Sequence, residues 1–215
     1  LARDVTRSLL NQCRARSVSM TNLLHAALVY RCVELLKPNR SKAIHIPVPI
    51  TADLRKNCPI SSTNEDVRFL SSCIIAFMKI PPKDKIDIWE LAASSHTELK
   101  KLIEDPELAI SQYQSLFLTS KFPQEDVEHF PLLFGNLGVI DILDGDQMRA
   151  VVQHCSYSTQ GTTNQIYACS FTVDGQLTIC LSFNSALQQE YVHQYAESIK
   201  CYLEKLGQNH PTSVS

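Results

Sequence analysis

The sequence predicts an α/β fold: a mixed β-sheet covered by helices, in one domain. Three observations carry this. Apolar residues recur at helical period near both ends and in the middle of the chain. β-branched runs bounded by turn residues separate those segments. Asp174-Gly175 then joins two such runs with the sequence of a type I′ hairpin, the sharpest local signal in the chain. The 215 residues suit one large domain or two small ones. A chain of that size buries roughly 70–75% of its unfolded surface and needs no staples to hold a core.

Taken in order, residues 1–36 are predicted to form two helices. Asp4 can cap the first, which carries Val5, Leu9 and Leu10 on one face. Ser19 or Thr21 can cap the second, where Leu24, Leu28, Val29, Cys32 and Leu36 repeat at helical spacing. It is apolar on more than one face, so it is expected in the core, and Pro38-Asn39 ends it. Residues 43–50 read as a strand, and Pro47 and Pro49 predict an edge or a strand end because each lacks a ladder donor. Residues 72–80 read as a buried strand stopped by Pro81-Pro82, and residues 86–103 as a long amphipathic helix. A further helix is expected over 107–118. Strands follow over 132–142, 149–156, 165–173 and 176–183. A closing helix over 188–206 is expected to lay Tyr191, Tyr195, Ile199, Tyr202 and Leu206 on the sheet, with Gly207 as its cap. Residues 208–215 are expected to form a frayed tail, which leaves 1–207 as the folded unit. The sheet then has five or six strands.

Composition removes several classes of function. The net charge of −2 lacks the basic footprint that a general nucleic-acid binder needs. No apolar run approaches the ~18 residues of a transmembrane helix. None of the six glycines builds a phosphate-cradling loop. The eight cysteines never stand at C-x-x-C spacing and mostly sit in apolar runs, as with Cys73 beside Ile74 and Cys180 between Ile179 and Leu181. Free core cysteines, a reducing cytoplasm and no metal site are therefore expected. His154 and Cys155 are adjacent, and neighbouring strand residues point to opposite faces, which makes a poor chelate. Asp141, Asp144 and Asp146 miss the spacing of a calcium loop. Asn39-Arg40-Ser41 matches a glycosylation triplet but lacks a secretory context. The chain opens on Leu1 with Val5 already on a helical stripe, which reads as a piece of something longer.

A catalytic constellation does not stand out. The seven histidines lie far apart, and His25 falls inside an apolar helix, where it is expected to be a packing histidine. Ser17, Ser19 and Ser156 lack a nucleophile-elbow frame. Two features rise above this background. In Pro49-Ile-Thr-Ala-Asp53-Leu-Arg55 a strand delivers an aspartate and an arginine at its end. In Phe134-Gly-Asn-Leu-Gly138 two glycines stand where a strand needs close backbone approach.

These features resemble the C-terminal lobe of the chloramphenicol-acetyltransferase-like acyltransferases. That superfamily includes condensation domains, alcohol acetyltransferases and polyketide-associated acyltransferases. Ser17-Val-Ser-Met-Thr-Asn-Leu-Leu-His-Ala-Ala-Leu28 is similar to their "T-x-x-x-l-l-A-A-l" helix, and Ile46-Pro-Val-Pro-Ile-Thr-Ala-Asp-Leu-Arg55 to their "v-p-v-D-L-R" strand. Ile88-Trp-Glu-Leu-Ala92 resembles the helix that follows, and Gly135-Asn-Leu-Gly138 the "s-N-l-G" strand. Each motif alone is weak, and the four occur in the family's order. Leu133 and Asn136-Leu137 depart from the Asp-Phe-Gly-Trp-Gly element of the plant branch, so the chain is not placed there.

The resemblance implies a two-lobe fold of which this chain is one lobe. It implies transfer of an acyl group from acyl-CoA or an acyl carrier protein, with its phosphopantetheine-linked donor, to a hydroxyl or amine. In the family the catalytic histidine belongs to a His-His-x-x-x-Asp motif on the N-terminal lobe, and no such motif occurs in these residues. No catalytic residue is therefore expected in this chain, no bound cofactor, and its partner is the missing first lobe. Arg55, with Asp53, matches the position that pairs with the aspartate of that motif, its alternative being a surface arginine at a strand end. Gly135, Asn136 and Gly138 match the channel strand, Asn136 having the alternative of a backbone-satisfying structural residue. A second function class stays open: a non-catalytic binding or scaffold protein that retains only this lobe.

Overall fold

The structure, a computed structural model, describes residues 1–53, 71–105, 107, 108, 111, 132–140, 166–183 and 188–208. α1 (Arg3–Ala15) buries Val5, Leu9, Gln12 and Cys13 along one stripe. Its N-cap is Ala2, with no side-chain cap, so Asp4 sits within the first turn rather than before it. There its carboxylate faces the positive end of the helix dipole. α2 (Met20–Leu36) is capped by Ser19, whose hydroxyl accepts from the Asn22 amide at 3.1 Å. Leu23 through Val29 are all buried, as expected of a helix apolar on more than one face.

β1 (Ile44–Asp53) and β2 (Ser71–Ile80) pair antiparallel along their full lengths. Ile44, Ile46, Val48 and Ile50 stand opposite Ile80, Met78, Ala76 and Ile74, which makes one continuous apolar face. α3 (Ile88–Glu104), capped by the Asp87 carboxylate, buries Leu91, Ala92, Leu99 and Leu102. β3 (Leu132–Val139) runs parallel to both β1 and β4 (Ile166–Val173). β5 (Gln176–Phe183) returns antiparallel to β4 through Asp174 and Gly175, both at positive φ, as the hairpin sequence requires. The sheet order is β2-β1-β3-β4-β5, a mixed sheet with helices on the face that carries Ile46, Phe134 and Ala168.

The strand expected over 149–156 lies outside the described residues, as do most of the helix expected over 107–118 and the tail. β1 is not an edge strand. Its ladder to β3 covers Ile50–Phe134 and Thr51–Gly135 only, so Pro47 and Pro49 lie on a stretch that β3 does not reach. The prolines were a sound signal of a missing partner on one side, not on both. Cys13 and Cys32 are free and buried, Cys169 is buried, and Cys201 is free and exposed. Burial pushes the Cys13 thiol up to about 11 and the Cys32 thiol to about 12, so both stay protonated and inert.

The closing helix, α4 (Gln189–Gln208), differs from expectation in register and in its end. Val192, Tyr195, Ile199 and Leu203 face inward while Tyr191 is exposed, because the helix packs on α1 and α2 as well as on β5. Tyr195 Oη reaches across to the Leu28 carbonyl at 2.9 Å. Gly207 lies inside the helix and is no cap. A Cβ there would come within 2.8 Å of Val5 Cγ1 and 3.3 Å of the Val5 carbonyl, so it is the point of closest approach to α1. Ser8 Oγ donates to the Gly207 carbonyl at 2.6 Å and Gln12 Nε2 to the Leu206 carbonyl at 2.9 Å, tying the two helices together. Alanine in place of glycine ordinarily favours a helix by ~1 kcal/mol. Here the contact reverses the sign: Gly207→Ala is expected to destabilise the protein by about 1–2 kcal/mol in urea unfolding.

Candidate functional site

The parallel register of β1 and β3 brings the two features singled out in the sequence side by side. Thr51 pairs with Gly135, so the strand end leading to Asp53 lies beside the irregular Gly135–Gly138 stretch of β3. Sequence alone could not give this, because each pair, Ile50 with Phe134 and Thr51 with Gly135, is 84 positions apart, and pairing is a matter of topology. Asp53 closes β1 opposite Ser71. Arg55 lies outside the described residues.

Gly135 is required by contact. A Cβ would lie 2.6 Å from Tyr167 Oη and 2.8 Å from Thr51 Oγ1, so the phenol of β4 and the hydroxyl of β1 meet over a bare backbone. Neither Thr51 nor Tyr167 was singled out from the sequence. Gly138 is required by conformation: its φ is +74°, at an irregularity where the β3–β4 register shifts between Asn136 and Val139.

Asn136 holds that irregularity in place. Its Oδ1 accepts from the Gly138 amide and from Ser170 Oγ, both at 3.0 Å, and its Nδ2 donates to Thr21 Oγ1 at 2.7 Å. One side chain thus joins β3, β4 and the first turn of α2. Its polar atoms are engaged within the lobe, which is the structural alternative weighed for it above. Ser170, fully buried in a row with Ile166 and Ala168, was the available signal, since a polar residue there needs a partner.

Beneath the turn, His25 on α2 lies parallel to the Phe134 ring, with centroids 6.1 Å apart. It is wholly buried. Its Nδ1 is 2.7 Å from Ser95 Oγ, Asn22 Nδ2 reaches the same oxygen at 3.4 Å, and His96 Nδ1 is 3.1 Å from Asn22 Oδ1. His25 Nε2 has no partner. Burial lowers the His25 pKa to about 3, so the ring stays neutral. The packing role expected from sequence is what the geometry gives.

That burial has a consequence for stability. The unfolded chain protonates His25 near its ordinary value of 6.5, whereas the folded chain does not until about 3. The unfolded state therefore binds more protons in between, and stability falls as pH drops below 6.5. The expected slope from this group is about 1.4 kcal/mol per pH unit. Between roughly pH 6.5 and 5 the protein should lose about 2 kcal/mol that a His25→Leu variant does not lose, measured by urea unfolding at each pH.

Among the described residues no group of three His, Cys, Asp or Glu side chains could hold a metal ion. None of the described helices is long and apolar enough to cross a membrane.

No family model matches the sequence, and no curated protein does. The fold is shared with known structures. Polyketide synthase associated protein 5 from Mycobacterium tuberculosis superposes with a TM-score of 0.62 at 15% identity, over 97% of this chain and 50% of that one. Trichothecene 15-O-acetyltransferase from Fusarium sporotrichioides gives 0.67 at 16% identity, over 95% and 45%. The first condensation domain of the CDA synthetase gives 0.64 at 12% identity, over 97% and 44%. The chain spans about half the length of these neighbours. It shares the α/β fold of about half of each of these molecules, the mixed sheet covered by helices that the resemblance implied.

Proposed function

We propose that this chain is the second lobe of an acyltransferase that moves an acyl group from acyl-CoA or an acyl carrier protein to a hydroxyl or amine acceptor. The observation that carries the reading is the juxtaposition of the Pro49–Asp53 strand end with the Gly135–Asn136–Gly138 turn, in a fold shared with an acetyltransferase and with condensation domains. The coverage of about half of each neighbour supports a missing first lobe. So do Leu137 and Val139, which are 55% and 68% exposed beside the turn and would be covered by such a lobe.

In this reading the reacting base is a histidine of the first lobe. It takes the proton of the acceptor O–H or N–H, the freed pair attacks the thioester carbonyl, and the thiol leaves with a proton. This lobe supplies positioning. Arg55, delivered at the end of β1 beyond Asp53, would pair with the aspartate next to that histidine, since a carboxylate taken out of water is costly unpaired. Asn136 would keep the Gly135–Gly138 turn, and with it the floor beneath the reacting centre, in one shape. The free cysteines support a reducing, cytoplasmic setting.

The upstream coding sequence tests this at once. A first lobe of comparable length carrying His-His-x-x-x-Asp is expected. An upstream lobe without that histidine would sink the enzyme reading and favour a scaffold that binds through this face.

A further inference from the structure

The two long sides of β5 are unlike. One pairs with β4 from Gln176 to Phe183. The other is the outer side of the last strand in the sheet, among the described residues. Leu177 directs its backbone outward: its amide donates to Thr6 Oγ1 at 3.2 Å, and its carbonyl accepts from the Leu1 nitrogen at 2.7 Å. Alternation along the strand puts the backbone groups of Ile179 and Leu181 on that same outer side. Natural sheets protect such edges with charge, proline or a bulge. The stretch Leu177-Thr-Ile-Cys-Leu-Ser-Phe183 has none of these.

A groove of about 260 Å³ runs beside this edge, between Leu1, Ile179 and Leu181 on one side and Ala196, Ile199 and Lys200 of α4 on the other. It is below the ~300–1,000 Å³ of typical ligand pockets. Its walls combine aliphatic side chains with Glu197 and Lys200 of α4, and Leu1 lies in its lining. A continuation upstream of Leu1 meets strand partners in one direction only. Parallel to β5 it would pass the Asp174-Gly175 turn after a single pair, whereas antiparallel it would face Ile179 and then Leu181.

We propose that the segment immediately preceding Leu1 in the full-length protein lies antiparallel along β5 as a sixth strand, its inward side chains filling this groove. With the Leu1–Leu177 bond as the start of the ladder, the residue two before Leu1 would stand opposite Ile179 and the one four before it opposite Leu181. Cross-strand partners share a face, so both upstream residues point into the groove and are apolar, while those between them face away. The sheet of this lobe would then be tied to whatever precedes it by backbone hydrogen bonds as well as by a linker. This rests on the reading that a first lobe precedes Leu1.

Hydrogen exchange on the full-length protein tests it. The Ile179 and Leu181 amides are expected to exchange at least about a hundredfold more slowly than unstructured amides, independently of protein concentration. Proline two residues before Leu1 should abolish that protection, since it removes the donor to the Ile179 carbonyl. Fast exchange at both amides in the unsubstituted protein overturns the proposal. So does protection that survives the proline, which means another segment covers the edge, and so does protection that appears only at concentrations where the protein dimerises. The acyltransferase reading fails separately: freely exchanging amides in a protein that releases thiol overturn the strand alone, whereas protected amides without thiol release overturn the chemistry alone.

Discussion

Arg55→Ala in the full-length protein is expected to lower kcat by about a hundredfold or more while moving KM little. The guanidinium is assigned no contact with substrate, so its loss should not weaken binding. In the proposed reading it would hold the carboxylate beside the first lobe's histidine, and a displacement of about 1 Å at a reacting centre can cost that much rate. Arg55→Lys should recover only part of the loss, because an ammonium cannot reproduce the two-pronged geometry. A merely structural arginine would lose rate without coupling to the aspartate. The deciding measurement is therefore a double-mutant cycle: with the aspartate of the histidine motif already changed to asparagine, Arg55→Ala should cost little further rate. Full additivity of the two losses would remove Arg55 from this role.

Asn136→Leu is expected to destabilise the protein by about 3 kcal/mol. Three hydrogen bonds end on that side chain, and one of them satisfies the wholly buried Ser170 hydroxyl. Leucine would leave Ser170 Oγ, Thr21 Oγ1 and the Gly138 amide without this partner together; an unsatisfied buried group such as the Ser170 hydroxyl costs about 1–3 kcal/mol, and the two half-buried groups add less. Ser170→Ala deletes a single one of these bonds and should cost only about 1 kcal/mol. Equal losses for the two variants, measured by urea unfolding, would mean that Asn136 does not organise the turn as its geometry indicates.

Most of the architecture could be read from local pattern. The Asp174-Gly175 turn, the α2 cap (Ser19, of the Ser19 and Thr21 that the sequence offers), the β-branched runs of β1 and β2 and the all-round apolar α2 each depend on residues close in sequence, and each is found where local pattern points. The departures are tertiary. Gly207 looked like a helix cap because glycine is common there; contact with Val5 is what requires it. Pro47 and Pro49 looked like edge signals, and half of that is right, since β3 pairs only beyond them. Tyr191 was placed inward by periodicity alone, whereas the packing of α4 across α1 and α2 turns it to solvent.

The site followed the same division. Gly135, Asn136 and Gly138 could be singled out as a group because glycines flanking an asparagine in a strand are unusual. Their partners could not. Thr51 and Tyr167 meet over Gly135 only through the β1-β3-β4 order, and Thr21 reaches Asn136 only because α2 packs beneath β3. Asp53 and Arg55 stand out locally as a charged strand end, and only the resemblance to acyltransferases implies a role for them.

The most direct test of the account is thiol release from acyl-CoA or an acyl carrier protein by the full-length protein, with and without the histidine of its first lobe. The account predicts acceptor-dependent release that falls by orders of magnitude when that histidine becomes alanine. Release that is absent with every acyl donor and acceptor, or unchanged in the histidine variant, would contradict it.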